Sequence, residues 1–490
     1  MSPSQKEKIK NLSNKIGLFA GPSAFLLMYL APTPEALSTE AWRVAAVGLF
    51  MAIWWVTEAV PIPATALLPI VLFPILEVST IGQATAPFAN PLIYLFMGGF
   101  IIALALEKTN LHRRIALRIV LFVGVKPTSV IIGFMLAAAF LSMWVSNTAT
   151  AMMMLPIALS IIRLVERGKD ISRGELQTNF GMVMLLCLAY ACNVGGIGTL
   201  IGTPPNALMA GYMLDTYGVE IGFAQWMMLG LPIVIVSLPI IFVILTRLVY
   251  PIKITEIPGG KAMIRDELKD AGRMSRAEKM VSIVFLTVAS LWIFRPLLEP
   301  FIPNLSDTGI AIFGAVLMFL LPVSFRNFEF VLQWEDAKRL PWEVLILFGG
   351  GLSLAAAITD TGLAEWIGMS ISHLDWIPIF ALLLLSLLVI IFLTEITSNT
   401  ATAAAFLPIL ASVAIMMGYD PMVLAIPAAI GASCAFMLPV ATPPNAIVYG
   451  SGLVSIPQMA RAGFMINLSM VVVISVAVYL LLYFVFGIAF

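Results

Sequence analysis

Two short runs of small polar residues lie where the chain is otherwise apolar. The first is Ser142-Met143-Trp144-Val145-Ser146-Asn147-Thr148-Ala149-Thr150-Ala151, and the second, 252 positions later, is Thr394-Glu395-Ile396-Thr397-Ser398-Asn399-Thr400-Ala401-Thr402-Ala403. Both are followed at the same distance by Leu-Pro-Ile, as Leu155-Pro156-Ile157 and Leu407-Pro408-Ile409. A hydroxyl or amide left without a partner in lipid costs several kcal/mol by order of magnitude. Two copies in matching contexts therefore predict one site built from two halves.

Each run has a companion further along the chain. Gly195-Gly196-Ile197-Gly198-Thr199 and Gly202-Thr203-Pro204-Pro205-Asn206 interrupt one apolar stretch; Pro439-Val440-Ala441-Thr442-Pro443-Pro444-Asn445 interrupts another. Glycine and proline at this density end helices and free their terminal groups. Unwound carbonyls with an Asn side-chain oxygen suit Na⁺. Free N–H groups, hydroxyls and positive helix ends suit an anion. No Lys or Arg lies near either tip. A carboxylate held there would rely on neutral donors, dipoles and co-bound cations, which is a physical reason to expect sodium coupling. Proton coupling is the rival, and it needs a titratable group in the membrane. Glu395 and Glu58 are its main candidates, with a structural hydrogen bond and a span-end anchor as their respective alternatives. Glu395 also breaks the symmetry, because its repeat partner is Met143.

The elements that must position these residues are membrane helices. The chain has 490 residues, 60% hydrophobic and only 11% charged, whereas a soluble fold is nearer a quarter charged. Apolar runs of about 17–25 residues recur along its length, the signature of a polytopic helical membrane protein. A formal net charge of zero gives no hint of a nucleic-acid partner. Cys187, Cys192 and Cys434 lie in apolar runs and read as reduced filler. His112 and His373 are far apart and sit beside predicted loops, which argues against a metal or catalytic role. Met1 to Lys15 is polar and basic, so no cleavable signal is expected before the first span.

Eleven spans are expected, at about 16–31, 42–60, 64–78, 91–107, 178–213, 224–250, 280–297, 308–323, 341–358, 421–450 and 464–488. Segments 108–125 and 362–374 read as interfacial helices. Segments 127–165 and 376–414 read as hairpins with polar tips at mid-membrane, because both flanks of the first are basic and belong on one side. The charged loop 251–279 is the expected internal boundary. Gly98-Gly99 and Gly349-Gly350-Gly351 read as close helix contacts, and Met152-Met153-Met154 as lipid-facing or core filler. With the N-terminus inside, all but Arg43 and Arg295 of the 27 Lys and Arg fall in predicted cytoplasmic segments. Five spans separate the hairpins, an odd number, so the hairpins would enter from opposite faces as an inverted repeat.

The two Ser-Asn-Thr tips, the two Thr-Pro-Pro-Asn breaks and the stretch Ser433 to Val448 resemble the divalent anion/sodium symporter family of dicarboxylate, tricarboxylate and sulfate carriers. The resemblance runs from the second span to the last. It implies an all-α, elevator-type homodimer, like a bacterial dicarboxylate transporter. Residues 1–125 would hold the tail and scaffold spans 1–4, 126–250 the first transport half and 251–279 a cytoplasmic linker. Residues 280–375 would hold scaffold spans 7–9, and 376–490 the second transport half. The resemblance places a first sodium ion at Ser142, Ser146, Asn147 and the Gly195 carbonyl. It places a second at Thr394, Thr397, Asn399 and the Ala441 carbonyl. Substrate carboxylates would meet Ser146, Asn147, Thr148, Ser398, Asn399, Thr400, Thr442 and Pro443. Gly196 joins that set at a position where some relatives present a hydroxyl.

The expectation is a secondary transporter in the plasma (inner) membrane, N-terminus cytoplasmic, importing succinate, malate or fumarate with co-transported Na⁺. A sodium-independent dicarboxylate exchanger and a citrate or sulfate carrier of the same fold are the alternatives. An enzyme would need a Ser/His or His/Asp constellation in the spans, and the sequence has none. A channel would need a continuous polar lining, which two opposed hairpins do not supply.

Overall fold

The computed structural model describes residues 3–489 except 125, 168–173, 253, 255, 256, 258, 259, 325 and 372–376. His373, Lys169, Arg173 and Lys253 therefore lie outside the described residues, as does the end of the expected interfacial segment 362–374.

The fold is mostly helical. The first half runs α1 (Pro3–Leu30), α2 (Thr39–Thr57), α3 (Ile62–Thr65), α4 (Leu68–Ile75), α5 (Ile81–Thr85), α6 (Pro91–Lys108) and α7 (Leu111–Val123). The first hairpin is α8 (Pro127–Ser142) and α9 (Asn147–Arg167), followed by α10 (Gly174–Gly195), α11 (Pro204–Tyr217) and α12 (Phe223–Val243). A linker helix α13 (Gly260–Asp270) precedes α14 (Arg276–Leu298), α15 (Asp307–Leu320), α16 (Trp342–Asp360) and α17 (Leu363–Ile371). The second hairpin is α18 (Ile379–Leu393) and α19 (Asn399–Met416), followed by α20 (Met422–Ala432), α21 (Pro443–Gly450) and α22 (Ile456–Phe486).

Among the described residues, 8 helices are long and apolar enough to cross a membrane. The incoming hairpin legs α8 and α18 are not among them. At 16 and 15 residues and ~1.5 Å per residue they reach only about 24 Å, short of a ~30 Å apolar slab. The outgoing legs do meet the length. Four details depart from the sequence expectation. The span expected at 64–78 is two short helices, α3 and α4, because Pro61, Pro63, Pro69 and Pro74 deny it continuous hydrogen bonding. The basic tail continues α1 instead of preceding it. The charged loop 251–279 contains α13. A fold expected to be all-α also carries a small antiparallel pair, Pro322–Ser324 with Glu329–Phe330.

Packing repeats across the two halves. α8 and α9 both pack on α10, as α18 and α19 both pack on α20. α11 packs on α19 and α21 packs on α9, so each half lends the restart of its broken span to the other half's hairpin. α12 and α22 pair across the middle. The apolar window of Asn179–Gly198 is entirely buried, which makes α10 the centre of this unit. Glycines allow the closest approaches. A Cβ on Gly98 would lie 2.7 Å from the Ala311 backbone of α15, and one on Gly350 would overlap the Ala66 carbonyl.

Candidate functional site

The first tip forms because α8 ends at Ser142 and α9 restarts at Asn147, after four residues of turn. Ser146 caps α9 by accepting the Ala149 N–H at 3.2 Å, leaving Asn147 and Thr148 in its open first turn. α8 lies so close to α10 that a Cβ on Gly195 would overlap the Ala139 backbone, which brings Gly195 within a turn of Ser142. Asn147 Oδ1 sits 3.1 Å from where a Cβ on Gly196 would be, and the Gly202 carbonyl 2.8 Å from it. A side chain at Gly196 would push into both. Three buried oxygens here, Ser142 Oγ, Asn147 Oδ1 and Thr150 Oγ1, have no hydrogen-bond partner, save the weak thiol of Cys192 beside Ser142.

The second tip has the same helix–turn–helix layout and a different bonding pattern. The Thr394 hydroxyl lies 2.8 Å from Asn399 Oδ1 and 2.9 Å from the Ala432 carbonyl. The Thr397 and Thr402 hydroxyls are 2.6 Å apart. Glu395 points away from the tip and into the break after α20. Its carboxylate accepts the Phe436, Met437 and Leu438 N–H groups at 2.6, 2.9 and 3.0 Å, and the Asn467 amide at 2.9 Å. Four donors converge on this carboxylate, which fixes the shape of the break. That geometry favours the structural role for Glu395 over a coupling role. Ala441 occupies the turn before α21. The carbonyl that Thr394 actually meets is that of Ala432.

The motif Thr-Pro-Pro-Asn explains why a helix restarts after each break. Thr takes the N-cap position, and the two prolines take the first helical positions, where no N–H is needed. The Asn then reaches back over the break. Asn206 Nδ2 donates to the Gly196 and Thr199 carbonyls at 3.1 and 2.9 Å. Asn445 Nδ2 donates to Ala435 and Leu438, both at 3.1 Å, over the same residue spacing. These clasps, and the buried Thr150 and Asn193, went unassigned in the sequence. The signal was present in Asn193, an amide in the apolar run Ala191-Cys192-Asn193-Val194.

The two halves meet through side chains. Thr203 Oγ1 lies 3.2 Å from Ser433 Oγ, and Asn193 Nδ2 donates to Thr442 Oγ1 at 3.0 Å. Ser146 and Pro443 are exposed, Thr148, Ser398 and Asn399 half-buried, and Thr400 and Thr442 buried. No Lys or Arg occurs anywhere in 127–162, 174–246 or 340–460, so both tips and both breaks are free of fixed positive charge. Among the described residues no group of His, Cys, Asp and Glu is arranged to hold a metal ion.

Broken helices, short hairpins and neutral donors around a buried polar centre define a membrane transporter. The fold agrees with solved transporters. The YdaH transporter of Alcanivorax borkumensis superposes with a TM-score of 0.59 over 89% of this chain and 98% of that one, at 14% identity. MtrF of Neisseria gonorrhoeae gives 0.57 over 90% and 95%, also at 14% identity. Residues 12–488 match the family model described as "Sodium:sulfate symporter transmembrane region". A sodium-dependent dicarboxylate transporter, SdcS, of Staphylococcus saprophyticus is 43% identical over 98% of this chain and 93% of its own length. Its namesake in Staphylococcus aureus is 42% identical over 99% and 95%. The chain belongs to the sodium:sulfate symporter family and is a multi-pass membrane transporter, not an enzyme.

Proposed function

We propose that this protein couples inward movement of C4-dicarboxylates (succinate, malate and fumarate) to co-transported Na⁺ across the plasma membrane. The observation that carries the reading is the pair of buried, unpartnered oxygens Asn147 Oδ1 and Thr150 Oγ1, beside Ser142 Oγ, which meets only the Cys192 thiol. Buried acceptors without donors are electron-rich and unsatisfied, and a hard cation satisfies them. Ser146 and the Gly195 carbonyl would complete the first ion site. Thr394, Thr397, Asn399 and the Ala441 carbonyl would form the second. Substrate carboxylates would lie against Ser146, Asn147, Thr148, Gly196, Ser398, Asn399, Thr400, Thr442 and Pro443. Without basic side chains, the two negative charges of the substrate need the ions beside them. The names of the relatives support both the ion and the substrate class.

The arrangement we infer is an inverted repeat moving as an elevator in a homodimer, with the N-terminus cytoplasmic. The scaffold would be residues 1–125 and 280–375. The transport unit would be 126–250 and 376–490. Ion pairing supports the sidedness. Arg43 pairs with Glu77, Lys108 with Asp336, Arg113 with Glu267, Arg114 with Glu278 and Arg295 with Glu220. Each pair joins two segments that the charge bias assigns to one side of the membrane.

The test is succinate uptake into empty proteoliposomes. Uptake should require external Na⁺. Unchanged uptake in sodium-free medium would overturn the coupling, and uptake only against internal dicarboxylate would establish exchange. Competition by citrate, glutamate and sulfate ranks the substrates.

A further inference from the structure

We propose that Asn193 is a positioning residue that turns Thr442 into a dedicated hydrogen-bond donor for a substrate carboxylate. The inference rests on the dicarboxylate reading above. Asn193 belongs to the last turn of α10, in the first half, and is 1% exposed. Its Nδ2 reaches across to the second half and meets three acceptors: Thr442 Oγ1 at 3.0 Å, the Ala435 carbonyl at 3.2 Å and Asn445 Oδ1 at 3.4 Å. Its Oδ1 has no partner. Three acceptors on one side fix which way the amide points, since the flipped amide would set oxygen against oxygen.

The consequence falls on Thr442. A hydroxyl has two lone pairs and one proton. Thr442 Oγ1 accepts from Asn193 Nδ2 and, at 3.4 Å, from the Asn445 N–H. With both lone pairs engaged, its proton is what remains, and a carboxylate is the ligand that takes a proton donor. The neighbouring Pro443 is exposed, so the turn that carries Thr442 reaches an accessible surface. The first half lacks this device. Thr203 faces the Ser433 hydroxyl, and either oxygen can be the donor. The direction of the Thr203 proton is therefore not imposed. Of the two Thr-Pro-Pro-Asn threonines, one is committed to donating, and a residue from the other half commits it.

The test compares Asn193→Asp, Asn193→Ala and Thr442→Val in proteoliposomes. Asn193→Asp replaces the donor by an acceptor that takes the Thr442 proton. It should raise the succinate KM at least about tenfold, which is about 1.4 kcal/mol, with Vmax changed less than twofold. Asn193→Ala should raise KM by a few-fold. The sodium-induced rise in melting temperature, measured without dicarboxylate, should stay as in the wild type for both. If Asn193 only ties the halves together, Vmax and the sodium response fall along with substrate affinity, which overturns the proposal. Should Asn193→Asp fail to fold, the double variant decides. Asn193→Ala added to Thr442→Val should leave the Thr442→Val KM unchanged, and an additive rise would sink the idea. A wild-type protein that takes up no dicarboxylate would instead remove the underlying reading.

Discussion

The two hairpin tips carry Ser-Asn-Thr at matching positions, yet one is left open and the other is closed on itself. In the second tip Thr397 and Thr402 bond to each other. The repeat counterpart of Thr402 is Thr150, and the counterpart of Thr397 is Val145. A valine offers no hydroxyl, so Thr150 is left without a partner. In the second tip Asn399 Oδ1 faces the Thr394 hydroxyl, while in the first Asn147 Oδ1 has no hydrogen-bond partner. The breaks differ as well. Glu395 ties down the second one, and Met143 stands in its place in the first, where its side chain packs against Gly198. There the Thr199 hydroxyl donates to the Met143 carbonyl at 2.5 Å and the Trp226 indole N–H to the Ile197 carbonyl at 2.9 Å. The lesson is that a duplicated motif does not imply duplicated energetics. The first tip presents ready acceptors. The second must give up an internal hydrogen bond, worth roughly 0.5–1.5 kcal/mol net, before its oxygens can bind an ion.

The largest effect should come from making the second half like the first. Glu395→Met leaves three backbone N–H groups and one amide without an acceptor. At roughly 1–3 kcal/mol for each unsatisfied donor, the loss exceeds about 4 kcal/mol. Folded protein should fail to accumulate, as judged by size-exclusion profile and thermal melting, whereas Met143→Leu should melt within a few degrees of wild type. A well-folded Glu395→Met protein would show that the contrast between the breaks has no energetic weight.

Next come the tip asparagines. Asn147→Ala removes an oxygen that no protein group satisfies, and sodium-driven succinate uptake should fall at least about 100-fold, or about 2.7 kcal/mol. Asn399→Ala should also reduce uptake strongly but leave a measurable residue, because Thr394 can turn to the ion. Normal sodium dependence in both variants would refute the site assignment, and equal losses would erase the difference between the tips.

The clasps should behave alike. Asn206→Ala and Asn445→Ala each orphan two buried carbonyls. Each should lower stability by about 2 kcal/mol, seen as similar drops in melting temperature. A large inequality would mean that Glu395 already holds the second break without its clasp. The smallest effects come from exchanging the residues that make the tips unlike. Val145→Thr gives Thr150 a partner and should stabilise by about 1 kcal/mol while raising the sodium concentration needed for half-maximal uptake. Thr397→Val should destabilise by a similar amount and, by removing a proposed ion ligand, also raise that sodium concentration. No shift in sodium response from either change would remove Thr150 and Thr397 from the ion sites.

Much of the architecture was legible in the sequence because membranes restrict the choices. Apolar stretches located most of the helices, and the two Thr-Pro-Pro-Asn motifs marked where helices restart. The span expected at 64–78 failed because four prolines lie in and beside it, and hydropathy does not count hydrogen bonds. The linker helix α13 was hidden by its charge. Its amphipathic face is explained only by its docking on α7, where Arg113 pairs with Glu267; just beyond its end, Arg114 of α7 donates to the carbonyls of Ala271 and Gly272, both at 2.8 Å.

The sequence by itself determined the residue types of the candidate site, its lack of basic side chains and the duplication of its motifs, since these are matters of composition and spacing along one chain. Tertiary structure alone decided which oxygens are left unpartnered, where Glu395 spends its charge, and that Asn193 reaches Thr442 across 249 residues. Hydrogen bonds are formed within about 3 Å in space, and no periodicity along a chain records which distant atoms come that close.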